Sequence, residues 1–377
     1  MRCVVAAYVV VEVLVVLQVG LVGLPNVGKS TLFNAVSQAG ADAANFPFCT
    51  IDPNIGVVAV PDARLERLGE LARSAKVIPT AIEFVDIAGL VAGAAEGEGL
   101  GNQFLAHIRE VDAICHVVRC FEDDDVVHVA GSVDPARDIE VVSTELVLKD
   151  LDTLERRLER AIRAAKGGDA AAVRERDQVE ALRDHLAVGQ PARTFTGELD
   201  QALARELALL TFKPVLYAAN VAEDDLPTGN TYVDRVRDIA ASEDAEVVVI
   251  SAQVEAEVAE LDGEERREYL GSLGLTRSGL ERLIERAYEL LGLVTFFTAG
   301  PKEARAWTVP SGSTARRAAR EIHSDFERGF IKAEVIAFDD YDKLGSEAAA
   351  RDAGRLRIEG KEYRVADGDV IHFRFNV

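Results

Sequence analysis

The clearest chemistry in the chain lies in Gly23-Leu24-Pro25-Asn26-Val27-Gly28-Lys29-Ser30-Thr31. Two glycines enclosing four residues and followed by Lys and Ser form a phosphate-binding loop. Backbone N–H groups from Asn26 to Thr31 must curl around nucleotide phosphates while a helix N-terminus points its positive end at them, and only glycine tolerates so close an approach. Lys29 is placed to reach the β- and γ-phosphates as a point charge. The Ser30 hydroxyl is placed to bind Mg²⁺.

Two further segments supply what such a loop needs for hydrolysis. The first is Asn45-Phe46-Pro47-Phe48-Cys49-Thr50-Ile51-Asp52-Pro53-Asn54, a Pro-punctuated loop. In P-loop switch proteins a Thr of this loop closes on the metal when a γ-phosphate is present, so Thr50 is the second expected metal ligand. The other is Val85-Asp86-Ile87-Ala88-Gly89-Leu90. Asp86 ends an apolar run and can meet the metal, usually through water, while the Gly89 N–H can reach the γ-phosphate. Many GTPases follow that Gly with a water-orienting Gln; here Leu90 cannot do that work. The water must be held by the backbone, by a residue from elsewhere or by a partner, and His107, His116 and His128 are the nearby imidazoles.

Base recognition is expected from Asn220-Val221-Ala222-Glu223. A guanine reader carries Asn-Lys-x-Asp there, with the Asp accepting from the guanine N1 and N2 groups and the Lys stem packing on the ring. Val221 and Glu223 alter both positions. Ser251-Ala252, after another apolar run, is the expected backbone contact to the base.

These residues need a parallel sheet whose carboxyl ends converge. Apolar runs at 17–22, 55–60, 81–86, 113–119, 213–220 and 245–250 are read as its strands, with a helix opening at Thr31 and another over 103–110. The glycine-rich stretch 93–102 is read as a mobile switch, and the acidic loop 122–125 as mobile too. Between 140 and 187 apolar residues recur at helical spacing amid dense charge, at Leu146, Leu148, Leu151, Leu154, Leu158 and Ile162. Broken at Gly167-Gly168, this pattern reads as an antiparallel coiled-coil arm or an ordinary two-helix surface insertion. From residue 293, strand-like runs at 295–298, 305–309, 330–337 and 370–375 around a helix at 314–322 suit a small β-grasp-like module.

The fold class is therefore α/β, a P-loop nucleotide-binding domain over 17–140 and 206–292, with a helical coiled-coil insertion at 141–205 and a C-terminal domain at 293–377. Residues 1–16 are treated as an extension arising from the assigned gene start, with an extra edge strand or a partner-binding tail as alternatives. They make neither a signal peptide nor a span, because Glu12 interrupts them and residues 17–22 are needed as a strand.

The four cysteines lack metal-ligand spacing and read as reduced thiols of a cytoplasmic protein. A formal charge of −22 excludes a protein that simply coats nucleic acid. Residues 300–377 nevertheless hold 14 Lys+Arg and 14 Asp+Glu, so this end is neutral and the most tolerant of a polyanionic partner.

With these residues placed, the chain resembles the Obg-like ATPase (YchF) family from residue 17 to 377. The resemblance rests on the P-loop at 23–31, Phe-Pro-Phe-Cys-Thr-Ile-Asp-Pro-Asn at 46–54, Val-Asp-Ile-Ala-Gly-Leu-Val at 85–91, Gly-Glu-Gly-Leu-Gly-Asn at 97–102 and Asn-x-x-Glu at 220–223. The segment at 326–335 with Asp-Gly-Asp-Val at 367–370 looks like that family's TGS domain. Ala92 departs from the family's usual Lys, and residues 1–16 have no counterpart. The resemblance implies a Mg²⁺-dependent ATPase, association with the ribosome (both subunits or the 50S particle), and a water-positioning role for His128. Potassium-activated P-loop proteins are similar in carrying Asn at the Asn26 position, so K⁺ is a second expected ion. The expected protein is a monomeric ATP-hydrolysing switch without a membrane partner. A GTPase of the same fold, and a nucleotide-stabilised ribosome- or protein-binding regulator with incidental hydrolysis, are the alternatives.

Overall fold

The computed structural model describes residues 17–41, 54–87 and 100–376. The extension at 1–16 and most of the stretch at 93–102 lie outside the described residues.

The first half alternates strand and helix: β1 (Gln18–Val22), α1 (Lys29–Ala41), β2 (Ile55–Ala59), α2 (Ala63–Ala72), β3 (Val77–Ile78), β4 (Ala81–Asp86), α3 (Leu100–Glu110) and β5 (Ala113–Arg119). Three helices follow, α4 (Pro135–Ala165), α5 (Ala170–Ala187) and α6 (Gln201–Leu207). The alternation then resumes with β6 (Val215–Asn220), α7 (Thr231–Ser242), β7 (Glu246–Ile250), α8 (Ala252–Glu260), α9 (Gly263–Ser272) and α10 (Gly279–Leu290). The first sheet runs β2-β4-β1-β5-β6-β7. Only β2 is antiparallel to its neighbour. Every residue of β5 and β6 is buried, as expected for parallel strands covered on both faces. The chain leaves β1 toward β4 on one side and β5 on the other, so the crevice for a ligand opens at the carboxyl end of β1.

The second sheet is built from β8 (Leu293–Ala299), β9 (Ala304–Pro310), β10 (Phe330–Ala337), β11 (Arg357–Glu359) and β12 (Asp369–Phe375), and its order is β11-β10-β12-β8-β9-β3. The sequence reading found four of these strands and α11 (Ala315–Ile322). It missed β3 and β11, which are two and three residues long and too short to show a period. Residues 62–78, expected within the nucleotide-binding unit, pack on this second sheet. Leu65 and Leu68 of α2 share a core with Phe297, Ala306, Ile336 and Val370, and β3 pairs parallel with β9. Arg64 adds an ion pair to Asp367 at 2.6 Å.

The helical region differs from a simple two-helix seam. Val147, Leu154 and Leu158 of α4 meet Val179, Leu182 and Leu186 of α5 and Leu203 and Leu207 of α6. Leu148 and Ile162, expected in the seam, are 46% and 44% exposed. At its other end α4 belongs to the nucleotide-binding core through Ile139, Val142 and Leu146. Asp134 caps it and Pro135 occupies its first turn, where a missing N–H costs nothing. One uninterrupted helix thus joins the core to the arm. Among the described residues, no helix is long and apolar enough to cross a membrane.

Candidate nucleotide-binding site

Five strand ends converge on the loop between β1 and α1. Gly28 has φ of +91°, and a Cβ there would fall on the Asn220 amide nitrogen, so glycine is required on both counts. Asn26 is also left-handed, at φ 63°. The Gly28 carbonyl accepts from Leu32 N–H at 2.9 Å, starting α1. Val27 is in the core while Ser30 and Thr31, in the first turn, are exposed. Lys29 is 8% exposed, and its Nζ is paired with Asp86 Oδ1. Asp86 reaches that position because it ends β4 in register with Leu21 of β1.

The predicted base-reading residues divide. Asn220 is 4% exposed; its Nδ2 donates to the Val27 carbonyl at 2.8 Å and its Oδ1 accepts from Ala252 N–H at 2.9 Å. The Ala252 N–H, expected to face the base, is spent on that bond. Val221 is 2% exposed and sits in the hydrophobic core, so its side chain is not the counterpart of a Lys stem over a ring. An apolar residue next to a buried strand follows the core rather than the ligand. Glu223 is exposed at the start of the short turn Glu223–Asp225, and Ser251 is buried immediately before α8. Thr50, Gly89, Leu90 and Ala92 lie outside the described residues.

The loop after β5 is not the free segment that its acidic sequence suggests. Arg119 is buried, and its guanidinium donates to the carbonyls of Phe121 at 3.0 Å, Val126 at 2.8 Å and Asp123 at 3.3 Å. It also lies over the Phe121 ring, 4.6 Å from the centroid. A buried guanidinium must satisfy its donors, and here it does so by gathering the loop. Asn26 Nδ2 then ties the loop to the phosphate-binding turn by donating to the Val127 carbonyl at 3.0 Å.

His128, expected to be a mobile water-positioning group, is 7% exposed. Its Nε2 is 2.8 Å from Asp138 Oδ2 in α4, and its Nδ1 accepts from Ala130 N–H at 3.1 Å. Both ring nitrogens are therefore engaged. The sequence reading did not single out Asp138 or Arg119. The signal for Asp138 was the Asp134-Pro135 helix start, which puts an acidic residue in the first turn ten positions after His128. His107 is exposed on α3. His116 is buried in β5, where burial first and the Arg193 charge second push its pKa down to about 3.

The donor set suits Mg²⁺ and a triphosphate. An exposed serine hydroxyl at a helix start and a carboxylate at an adjacent strand end are hard oxygen ligands, and Lys29 is paired with that carboxylate. Among the described residues, a cluster with metal-type ligands is formed by Glu334 and His372 of the second sheet and Glu347 at the start of the helix Glu347–Asp352. Glu334 is already paired with Lys332 at 3.0 Å and Arg374 at 2.9 Å.

This fold and site define a P-loop nucleoside-triphosphate-binding protein of the GTPase-like α/β class. A family described as 50S ribosome-binding GTPase matches residues 18–153, and the C-terminal YchF-GTPase family, described as a protein of unknown function, matches residues 293–376. Relatives named ribosome-binding ATPase YchF are 56% identical in Bacillus subtilis, over 96% of this chain and 100% of the relative, and 56% identical in Pasteurella multocida, over 95% and 99%. The solved YchF GTPase of Schizosaccharomyces pombe is 37% identical with a TM-score of 0.86, covering 95% of this chain and 97% of its own. A GTP-binding protein from Pyrococcus horikoshii, 18% identical with a TM-score of 0.58 over 96% and 100%, shares the fold. The chain belongs to the YchF family.

Proposed function

We propose that this chain is a Mg²⁺-dependent ATPase that binds the ribosome and reports its nucleotide state there, in the cytoplasm. The observation that carries hydrolysis is the convergence of Gly28, Lys29, Ser30 and Asp86 at the carboxyl end of β1. Ser30, with Thr50, would hold the metal, with Asp86 behind it. When bound, the metal neutralises charge developing on the transferred phosphoryl group. Lys29 would leave Asp86 for the β- and γ-phosphates. Water then attacks the γ-phosphorus, the bond to the bridging oxygen breaks, and ADP, phosphate and a proton leave. The Gly89 N–H would steady the γ-phosphate, and His128 would orient the water. Asn26 commits its donor to Val127, leaving its oxygen as the acceptor that would help hold K⁺.

Ribosome binding is supported by the relatives named ribosome-binding ATPase, which match nearly the whole chain. The purine choice is supported by those names and by the missing guanine reader. Glu223 stands where the guanine-binding Asp would be, and Val221 is turned into the core. A GTPase reading is favoured by the solved Schizosaccharomyces pombe relative, which is named a GTPase. Calorimetric titration of ATP against GTP decides between them. ATP is expected to bind at least about tenfold more tightly, because a guanine site without its paired hydrogen bonds loses a few kcal/mol. Equal or tighter GTP binding rejects the ATPase reading.

A further inference from the structure

His128 faces inward between two residues that face outward. Val127 is 75% and Val129 57% exposed, while the imidazole between them is buried. That is the reverse of the burial that a Val-His-Val segment would adopt on side-chain character alone. What holds the reversed arrangement is specific. Nδ1 accepts the Ala130 N–H, so the proton of the neutral ring is on Nε2 and is donated to the Asp138 carboxylate. Asp138 is 2% exposed, and its other oxygen accepts from Arg137 at 3.3 Å. It lies in the first turn of α4, where the helix dipole favours a negative charge.

A histidine that orients water needs a ring nitrogen free at the phosphate site. This one has none. Its backbone is nevertheless already at the site, since the preceding carbonyl, that of Val127, is bonded to Asn26 of the phosphate-binding loop. What is turned from the site is the His128 side chain, while the backbone before it is tied to the phosphate-binding loop. Val127 and Val129 supply apolar groups that can turn in.

We propose that Asp138 is a positioning residue that holds His128 withdrawn from the phosphate site, so that α4 sets when hydrolysis proceeds. This rests on the reading of His128 as the water-orienting group. Because α4 continues without a break into the arm, a displacement of the arm by a bound partner is transmitted to Asp138 along one helix about 46 Å long.

The test is steady-state ATP hydrolysis by the full chain carrying Asp138→Ala, Asp138→Asn, His128→Ala, or both alanine substitutions, with thermal unfolding to confirm the fold. Asp138→Ala is expected to raise kcat about tenfold with KM unchanged, as removal of one charge-assisted hydrogen bond from the withdrawn state would do. Asp138→Asn, which keeps a weaker neutral acceptor, should fall between, and it serves as the test if the alanine variant fails to fold. The double variant should hydrolyse no faster than His128→Ala alone. A folded Asp138 variant with unchanged or lowered kcat, while His128→Ala still lowers it, overturns the inference alone. If His128→Ala leaves kcat unchanged, the underlying reading fails, and the inference with it. A gain from Asp138→Ala that survives in the double variant also overturns it, because the gain would then not pass through His128.

Discussion

Asn220 holds Val27 to Ala252: its amide bridges the carbonyl of the phosphate-binding loop and the first N–H of α8, at 2.8 and 2.9 Å, and is itself buried. A buried side chain bonded at both its donor and its acceptor end sets the shape of the loop. The residue that the sequence pattern associates with base specificity is, in this geometry, a brace.

A brace and a reader respond differently to substitution. Asn220→Ala would orphan the Val27 carbonyl and the Ala252 N–H, and each unsatisfied buried group costs about 1–3 kcal/mol. ATP and GTP affinities are expected to fall together, by at least about tenfold, with their ratio unchanged. Equilibrium binding of both nucleotides checks this, and a change in the ratio would assign Asn220 to the base after all. Gly28→Ala should fail in the same way, since its Cβ would displace the Asn220 amide from a left-handed residue.

The strands of the first sheet were legible because each is an apolar run long enough to show burial, and the P-loop because its residue types follow from backbone geometry. What escaped the sequence was set by partners distant in the chain. β3 is two residues of Val and Ile whose only reason to be a strand is Ala304–Arg305 of β9. Leu148 has the spacing of a seam residue, yet α6 and α5 cover a different stripe of α4, and it stays in water. In the sequence, His128 looks free because it follows the acidic loop 122–125. Its actual environment is set by Arg119, which gathers the preceding loop, and by Asp138 on a helix that the sequence reading began later, at residue 140.

Lys29 and Asp86 form an ion pair between the first turn of α1 and the end of β4. On the proposed function, a bound phosphate would compete with Asp86 for Lys29, and Asp86 would then be free to help hold Mg²⁺. Lys29→Ala is expected to abolish tight ATP binding, because no other cation of the loop replaces it. Ser30→Ala should instead leave an enzyme that needs more Mg²⁺ for half-maximal activity. A Mg²⁺ titration of hydrolysis in both variants is the measurement. Unchanged activity at low Mg²⁺ in both would remove these residues from the site.

The last prediction concerns acid stability and comes from His116. Burial, reinforced by the Arg193 charge, lowers its pKa from 6.5 to about 3, so the folded chain keeps the ring neutral where an unfolded chain protonates it. Between these two values the unfolded state binds more protons, and stability must fall as the pH drops through the window. At pH 5 the loss from this residue is about 2 kcal/mol. The ring lies among Ile114, Val142, Leu146 and Tyr217, with the Tyr217 centroid 5.7 Å away. His116→Phe preserves an aromatic ring there and removes the titration. Denaturant unfolding at pH 7.5 and pH 5 should show the variant losing about 2 kcal/mol less than the parent chain over that interval. Other groups titrate in the same range in both proteins, so the difference between the two pH dependences isolates His116. Parallel pH dependences would mean that the ring takes up its proton in the folded state, through local opening of β5 or through water reaching Arg193.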